Sequence, residues 1–346
     1  MVRDSMPHSR TSGHRTGTME SLSNYRRVSL FYPYMAEEPT TFHRFAETVR
    51  DTPLHRLWTG QSLKVDSGHL IAASVGMGTK VPIGLGVSLL PLRHPYETAL
   101  HARSLALLTG HAPVIGLGTA TPEFVAGLHG APYSSPLAVA SEYVRIVRAL
   151  LRGEALAEEG THFHMHGRLL PAESPGAEIG LGVLRPGMAG VAGRWADAAV
   201  TFLSPPRYLR EAIVPRIREA SRERDRPPRL VTIAHFVVER AGRDCPRAIA
   251  PTITTHIKQA HYGHVLEKAG ISIDPHDPLA AAERLIGSGV VMSGTPERIV
   301  SAIRRLHASG VDEVVLNPAG VVHTEGIVAG LADVNEVVRA FEGAEG

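Results

Sequence analysis

The chain has 346 residues, 36 basic against 34 acidic, of which 43% are apolar and 20% charged. The length suits one barrel of about 250 residues with additions, and the near-neutral balance gives no electrostatic case for nucleic acid or an anionic membrane, so the expected partner is a small molecule. A single cysteine, Cys245, excludes an internal disulfide and a multi-cysteine zinc site and suits a reducing cytoplasm.

Residues 1–24 are rich in Arg, His, Ser and Gly with no apolar run. They read as a disordered tail, neither secretory signal nor membrane anchor, ahead of one domain over residues 25–346. Met19 is close enough to the first strand to be an alternative start. Residues 27–34 form that strand, stopped by a proline, with Phe31 and Tyr32 at its end. Helical spacing follows at 41–49, and a second strand at 55–59 in which Trp58 reads as core packing in preference to a stacking platform. Gly60, Gln61 and Ser62 come next, then a short helix over 68–77.

Residues 81–130 organise the rest. Ile83-Gly-Leu-Gly is a nearly continuous apolar run, as a parallel strand buried on both faces should be, and the tetrapeptide returns at Ile115 and Ile179. Three strands built to one plan and separated by helical patterns predict a parallel barrel or a doubly wound sheet. Gly86 and Gly118 leave no Cβ in the way of a ligand at strand ends, where parallel folds place their sites. Pro95 suits the first turn of a helix over 96–108, with His94 just outside and Glu97 inside. Gly116-Leu-Gly-Thr-Ala-Thr121 lacks the third glycine of a dinucleotide-binding turn and no acidic residue closes a following strand, which argues against a nicotinamide Rossmann site.

Further on, residues 137–151 form a strongly amphipathic helix. His162, His164 and His166 alternate and invite a metal; no carboxylate or cysteine accompanies them at close spacing, so no metal is expected and substrate lining is preferred. Residues 177–184 are the fifth strand, and Arg185, Pro186 and Gly187 open the helix behind it. Strands six to eight fall at 200–203, 230–238 and 313–318. Between the last two, residues 245–268 are mostly helical and 271–279 irregular, and Thr295 and Pro296 start another helix. A final helix is expected over 325–342.

In this order and spacing, Leu85-Gly-Val-Ser, Leu90-Pro-Leu-Arg-His-Pro, Gly116-Leu-Gly-Thr, Ala192-Gly-Arg-Trp-Ala-Asp and Gly294-Thr-Pro-Glu resemble the bacterial luciferase-like family of flavin- and deazaflavin-dependent oxidoreductases. The resemblance runs from 28 to 341. It implies a luciferase-like (β/α)8 TIM barrel with insertions after strands four and seven. It also implies a cis peptide at Gly86-Val87 bulging under the redox ring, with Ser88, Gly118 and Thr119 at the ring, and Leu184, Arg185 and Gly187 at the cofactor phosphate.

This chain departs from the family after strand two, where an acidic residue and a histidine are common. Gln61 and Ser62 stand there, and neither titrates near neutrality, so proton abstraction from this position is not expected. Gln61 or Ser62 then polarises the substrate, and His94 is the candidate acid. Thr121 stands where the family often has a carboxylate; Glu123, the nearest one, reads as favouring a helix N-terminus. The implied activity is hydride transfer between coenzyme F420 and a substrate carbon next to an imine, carbonyl or alkene. The alternatives are a monooxygenase using reduced FMN and O2, or a flavin-binding protein with little activity. A cytoplasmic homodimer paired through outer helices is also implied.

Overall fold

The computed structural model describes residues 27–35 and 37–343, so the tail expected at 1–24 lies outside the described residues. Eleven strands occur among them: β1 (Arg27–Tyr32), β2 (Leu57–Thr59), β3 (Ile83–Leu89), β4 (Val114–Gly118), β5 (Leu156–Glu159), β6 (His164–Gly167), β7 (Glu178–Gly182), β8 (Ala198–Phe202), β9 (Arg229–Val238), β10 (Met292–Gly294) and β11 (Glu313–Asn317). Eight of them close a parallel barrel in the order β1-β2-β3-β4-β7-β8-β9-β11, and the doubly wound alternative is thereby excluded. β10 extends the far end of β9, and β5 and β6 make a separate antiparallel hairpin.

The helices begin where local chemistry tells them to. Thr121, Ser135, Asp244, Asp277 and Thr295 each accept a backbone N–H in the first turn, with proline at the first or second helical position. Two expectations change in detail. The segment expected to be irregular ends in a helix starting at Pro278, and the final helix is broken at Gly326, whose φ of +92° ends one helix before the next begins at Ile327.

The barrel interior explains the three Ile-Gly-Leu-Gly runs. Their glycines face inward, and bulkier neighbours fill the space: a Cβ on Gly84 would lie 2.3 Å from the Trp58 ring, and one on Gly118 would lie 2.7 Å from Val87. Trp58, Val114, Ala198, Val200, Val231, Ile233 and Val315 form this inner core. Trp58 is packing, as expected. Gly86 and Gly118 also clear space for Trp58, Val87 and Ile233 within the chain's own packing.

The N-terminal end of the barrel is plugged by charge. Glu313, fully buried, accepts from Ser29 Oγ and Trp58 Nε1 at 2.7 Å each and from Arg229 Nη1 at 2.9 Å, while Arg229 also pairs with Glu178. Arg56 donates to the carbonyls of Ile83 and Ala112. Burial opposes the charge on Glu313, but Arg56, Arg229 and Ser29 outweigh it and hold its carboxyl below the usual range.

Candidate active site

The opposite, C-terminal end of the barrel is where the side chains expected to be functional meet. Past β2, Gln61 Oε1 accepts from Leu89 N at 3.2 Å and Ser88 Oγ at 3.3 Å, and its Nε2 donates to Ser62 O at 2.7 Å. Ser62 Oγ accepts from the backbone N–H groups of Lys64 and Val65, which closes the turn. Gln61 therefore ties the end of β2 to the end of β3, and Ser62 shapes the turn that follows it.

That end of β3 is irregular. The Gly86-Val87 bond is cis, as the resemblance implied, and pairing with β4 shifts between Leu85 and Ser88. The Val87 side chain lies over the inward faces of Gly116, Gly118 and Gly182. Arg93 reaches from beyond β3 to Ser88 Oγ and pairs with Asp66 and Glu97. Asp66 also accepts Gly68 N at 2.7 Å; burial raises its pKa, but Arg93 and this bond more than offset that.

His94 is exposed, and its Nδ1 accepts the N–H of Tyr96 at 3.2 Å, capping the helix Pro95–Thr109. Its ring lies 6.2 Å from that of Phe163, in the turn of the β5–β6 hairpin, which the Glu142 carboxylate holds through the N–H groups of His162 and Phe163. Two other histidines of the trio, His164 and His166, are exposed and both bond Glu159 at 2.6 Å. This carboxylate, three residues before His162 in the chain, is brought alongside by the hairpin. Among the described residues no group of three or more His, Cys, Asp or Glu could hold a metal ion. After β4, half-buried Gly118 and Thr119 lead to Thr121, the N-cap of Pro122–His129, and Glu123 sits exposed in its first turn.

After β7, Arg185 stands at the N-cap of the helix Pro186–Trp195 without a capping side-chain bond, leaving the first N–H groups, among them Gly187, open. Tyr208 donates to Leu184 O at 3.0 Å. Beside this terminus is a cavity of about 200 Å³ lined by Pro186, Arg207, Tyr208, Glu211, His264 and Lys268. Asp197, leading into β8, accepts Ile179 N and pairs with Arg148.

Sequence reasoning passed over the side of the mouth formed by β8 and β9. Phe202 and His235 extend the inward rows of those strands, and His256 and Tyr262, from the helices Cys245–Ile257 and Ala260–Lys268, pack against Phe202 at ring distances of 4.8 and 6.1 Å. The signal was available. His235 sits two and four residues beyond Ile233 and Val231, the one imidazole in an otherwise apolar run.

The fold and this mouth define a parallel (β/α)8 barrel with a bulged third strand and, after β7, a helix N-terminus that its N-cap side chain does not cap. The chain belongs to the luciferase-like monooxygenase family, whose model matches residues 20–313. It is an oxidoreductase of that family, and its cofactor is a flavin or deazaflavin. It is 24% identical over 278 residues, 72% of each chain, to the phthiodiolone/phenolphthiodiolone dimycocerosates ketoreductase of Mycobacterium tuberculosis. It is also 24% identical over 322 residues to the 5,10-methylenetetrahydromethanopterin reductase of Methanopyrus kandleri, covering 82% of this chain and 90% of that one. The solved structure of the coenzyme F420 dependent tetrahydromethanopterin reductase from Methanopyrus kandleri aligns with a TM-score of 0.73 at 20% identity, over 91% of this chain and 99% of that one. No described helix is long and apolar enough to cross a membrane.

Proposed function

We propose that the chain is an F420-dependent oxidoreductase that passes hydride between the deazaflavin and a C=O, C=N or C=C carbon of a small molecule. The observation that carries this reading is the uncapped N-terminus at Arg185, Pro186 and Gly187 opening beside a cavity rimmed by Arg207, His264 and Lys268. A phosphate suits the free N–H groups, and Lys268, with Arg207 shared with Glu211 on the same rim, suits the further carboxylates of a deazaflavin tail, which FMN lacks. The similarity to two reductases supports the same direction.

When bound, the deazaflavin supplies hydride chemistry. The chain would orient it with Gly86, Val87 and Ser88 at the bulge and Gly118 and Thr119 holding its ring, and Leu184, Arg185 and Gly187 holding its phosphate. Gln61 joins the β2 and β3 ends, Ser62 closes the loop after β2, and His94 caps its helix beside the entrance.

The experiment is fluorescence titration of the cofactor-free chain with F420 and FMN side by side. F420 is expected to bind at least tenfold more tightly. Preference for FMN would replace this reading with a monooxygenase using reduced FMN and O2, which the family's description favours. Tight F420 binding without turnover on any reducible substrate would leave a binding protein.

We also infer a homodimer. Helix Pro95–Thr109 buries Ala99, Ala102, Leu105 and Ala106 inward yet exposes Leu100, Leu107 and Leu108 outward, and a helix apolar on both faces calls for a second covering surface.

A further inference from the structure

A buried imidazole of the mouth has no hydrogen-bond partner on either nitrogen among the described residues. On β9, Val231 and Ile233 belong to the inner core, and His235, next in that alternation, opposes Asn317 of β11 at the barrel's upper rim. His235 is 2% exposed, and neither ring nitrogen has a hydrogen-bond partner among the described residues; the buried Nδ1 of His256 has none either. Phe202 stands between the two imidazoles, with ring centroids 5.3 Å from His235 and 4.8 Å from His256, and Tyr262 closes the cluster 5.4 Å from His256.

Folded proteins bond nearly all buried polar atoms, because an unmade bond in a dry site forfeits hydration without return. Three such nitrogens in one cluster, where the barrel opens, mark a place built for something else. The charge state narrows what. Burial pushes the His235 pKa down to about 3, with His256 and His323 adding to the effect, and burial also lowers that of His256. Both rings are neutral at pH 7, each with one N–H donor and one acceptor nitrogen. A carboxylate or phosphate would find no cation here. An uncharged oxygen would find a donor, an acceptor and a flat aromatic wall.

We propose that His235, with His256 beside it, binds the oxygen of a ketone or secondary alcohol substrate at the barrel mouth. The inference rests on the hydride-transfer reading and deepens it: the bound oxygen is the polar end of the carbon that takes or gives hydride. The sulfur-free, uncharged character of the cluster makes ketones and carbinols its class, in preference to acids or phosphate esters. Phe202, half-buried, supplies the apolar contact for the substrate's alkyl part.

The test is an NMR titration of the full chain, labelled with 15N-histidine and loaded with F420, against acetone, 2-butanone and cyclohexanone. One imidazole N–H resonance is expected to shift with ketone and to be missing from His235→Phe. That variant should raise KM for the ketone about tenfold, the worth of one hydrogen bond, with the Kd for F420 within about twofold. His235→Asn, which keeps a donor, should recover part of the loss. The proposal is overturned if no imidazole signal responds to any ketone, if KM is unchanged in His235→Phe, or if F420 binding weakens in parallel. Failure of the chain to bind F420 would overturn the cofactor reading alone, and the same titration on the cofactor-free chain would then decide His235 by itself.

Discussion

Replacing Gly84 with alanine tests the claim that the repeated glycines are there for the barrel's own packing. The added Cβ would lie 2.3 Å from Trp58 Cδ2 and 2.5 Å from both Cε2 and Cε3, so the indole must retreat by roughly 1 Å to restore ordinary contact. It has little room to do so, being fully buried and tied through Nε1 to Glu313 at 2.7 Å. Overpacking of this kind costs about 1–3 kcal/mol, against a gain of roughly 0.5–1 kcal/mol from restricting the unfolded backbone. Gly180→Ala is the matched control, from the third copy of the same tetrapeptide. Its Cβ would meet Gly116 Cα at 3.3 Å and Ala198 O and Cβ at 3.4 and 3.5 Å, so its net cost should stay below about 1 kcal/mol. Urea unfolding should place Gly84→Ala about 2 kcal/mol below wild type and well below the control. In a Trp58→Phe background the same substitution should cost at least 1 kcal/mol less, as residues in contact couple by about 0.5–3 kcal/mol. Equal costs at Gly84 and Gly180, or no relief from Trp58→Phe, would refute the packing account.

Four further outcomes are expected. Glu313→Gln strands Arg56 and Arg229 and should cost about 3 kcal/mol or more; because the native pKa of Glu313 lies below its unfolded value, its contribution is present above about pH 4.3 and lost as pH falls through the native value, so the variant should also flatten the acid limb of the stability profile. His235, held near 3 when folded against about 6.5 unfolded, stabilises fully above pH 6.5 and loses that as pH falls toward 3, by up to about 1.4 kcal/mol per pH unit; His235→Phe should reduce the slope across that window, and an unchanged slope would contradict a neutral buried ring. His94→Asn preserves a side-chain acceptor at the helix cap and should leave unfolding within about 0.5 kcal/mol of wild type and turnover unchanged; a fall of 100-fold or more in kcat with the fold intact would instead make His94 the general acid. Leu107→Glu, at a position 51% exposed in the apolar outer stripe, should convert a dimer to a monomer in light scattering; a wild-type monomer would refute the pairing face.

The sequence determined the barrel, because strand, helix and cap signals are local. Three near-identical apolar runs, the Thr295–Pro296 helix start and the order of motifs are all written in residues a few positions apart and formed where expected, whereas the helix opened by Asp277 and Pro278 was not expected. It also located the mouth, at Gln61, Gly86, Val87, His94, Gly118 and Arg185, since loops after parallel strands must gather at one end. What these residues do there was decided by tertiary structure. The glycines yield to Trp58 and Val87, which come from other strands; Gln61 spends its amide on Leu89 and Ser88; Glu159 meets His164 and His166 only across a hairpin. His235 shows the limit most clearly. Alternation could place it inward, but only closure of the barrel, with Phe202 from β8 and His256 from a later helix packed around it, removes its water and leaves its nitrogens unpaired. Burial and partnership depend on neighbours distant in the chain, and no local pattern encodes them.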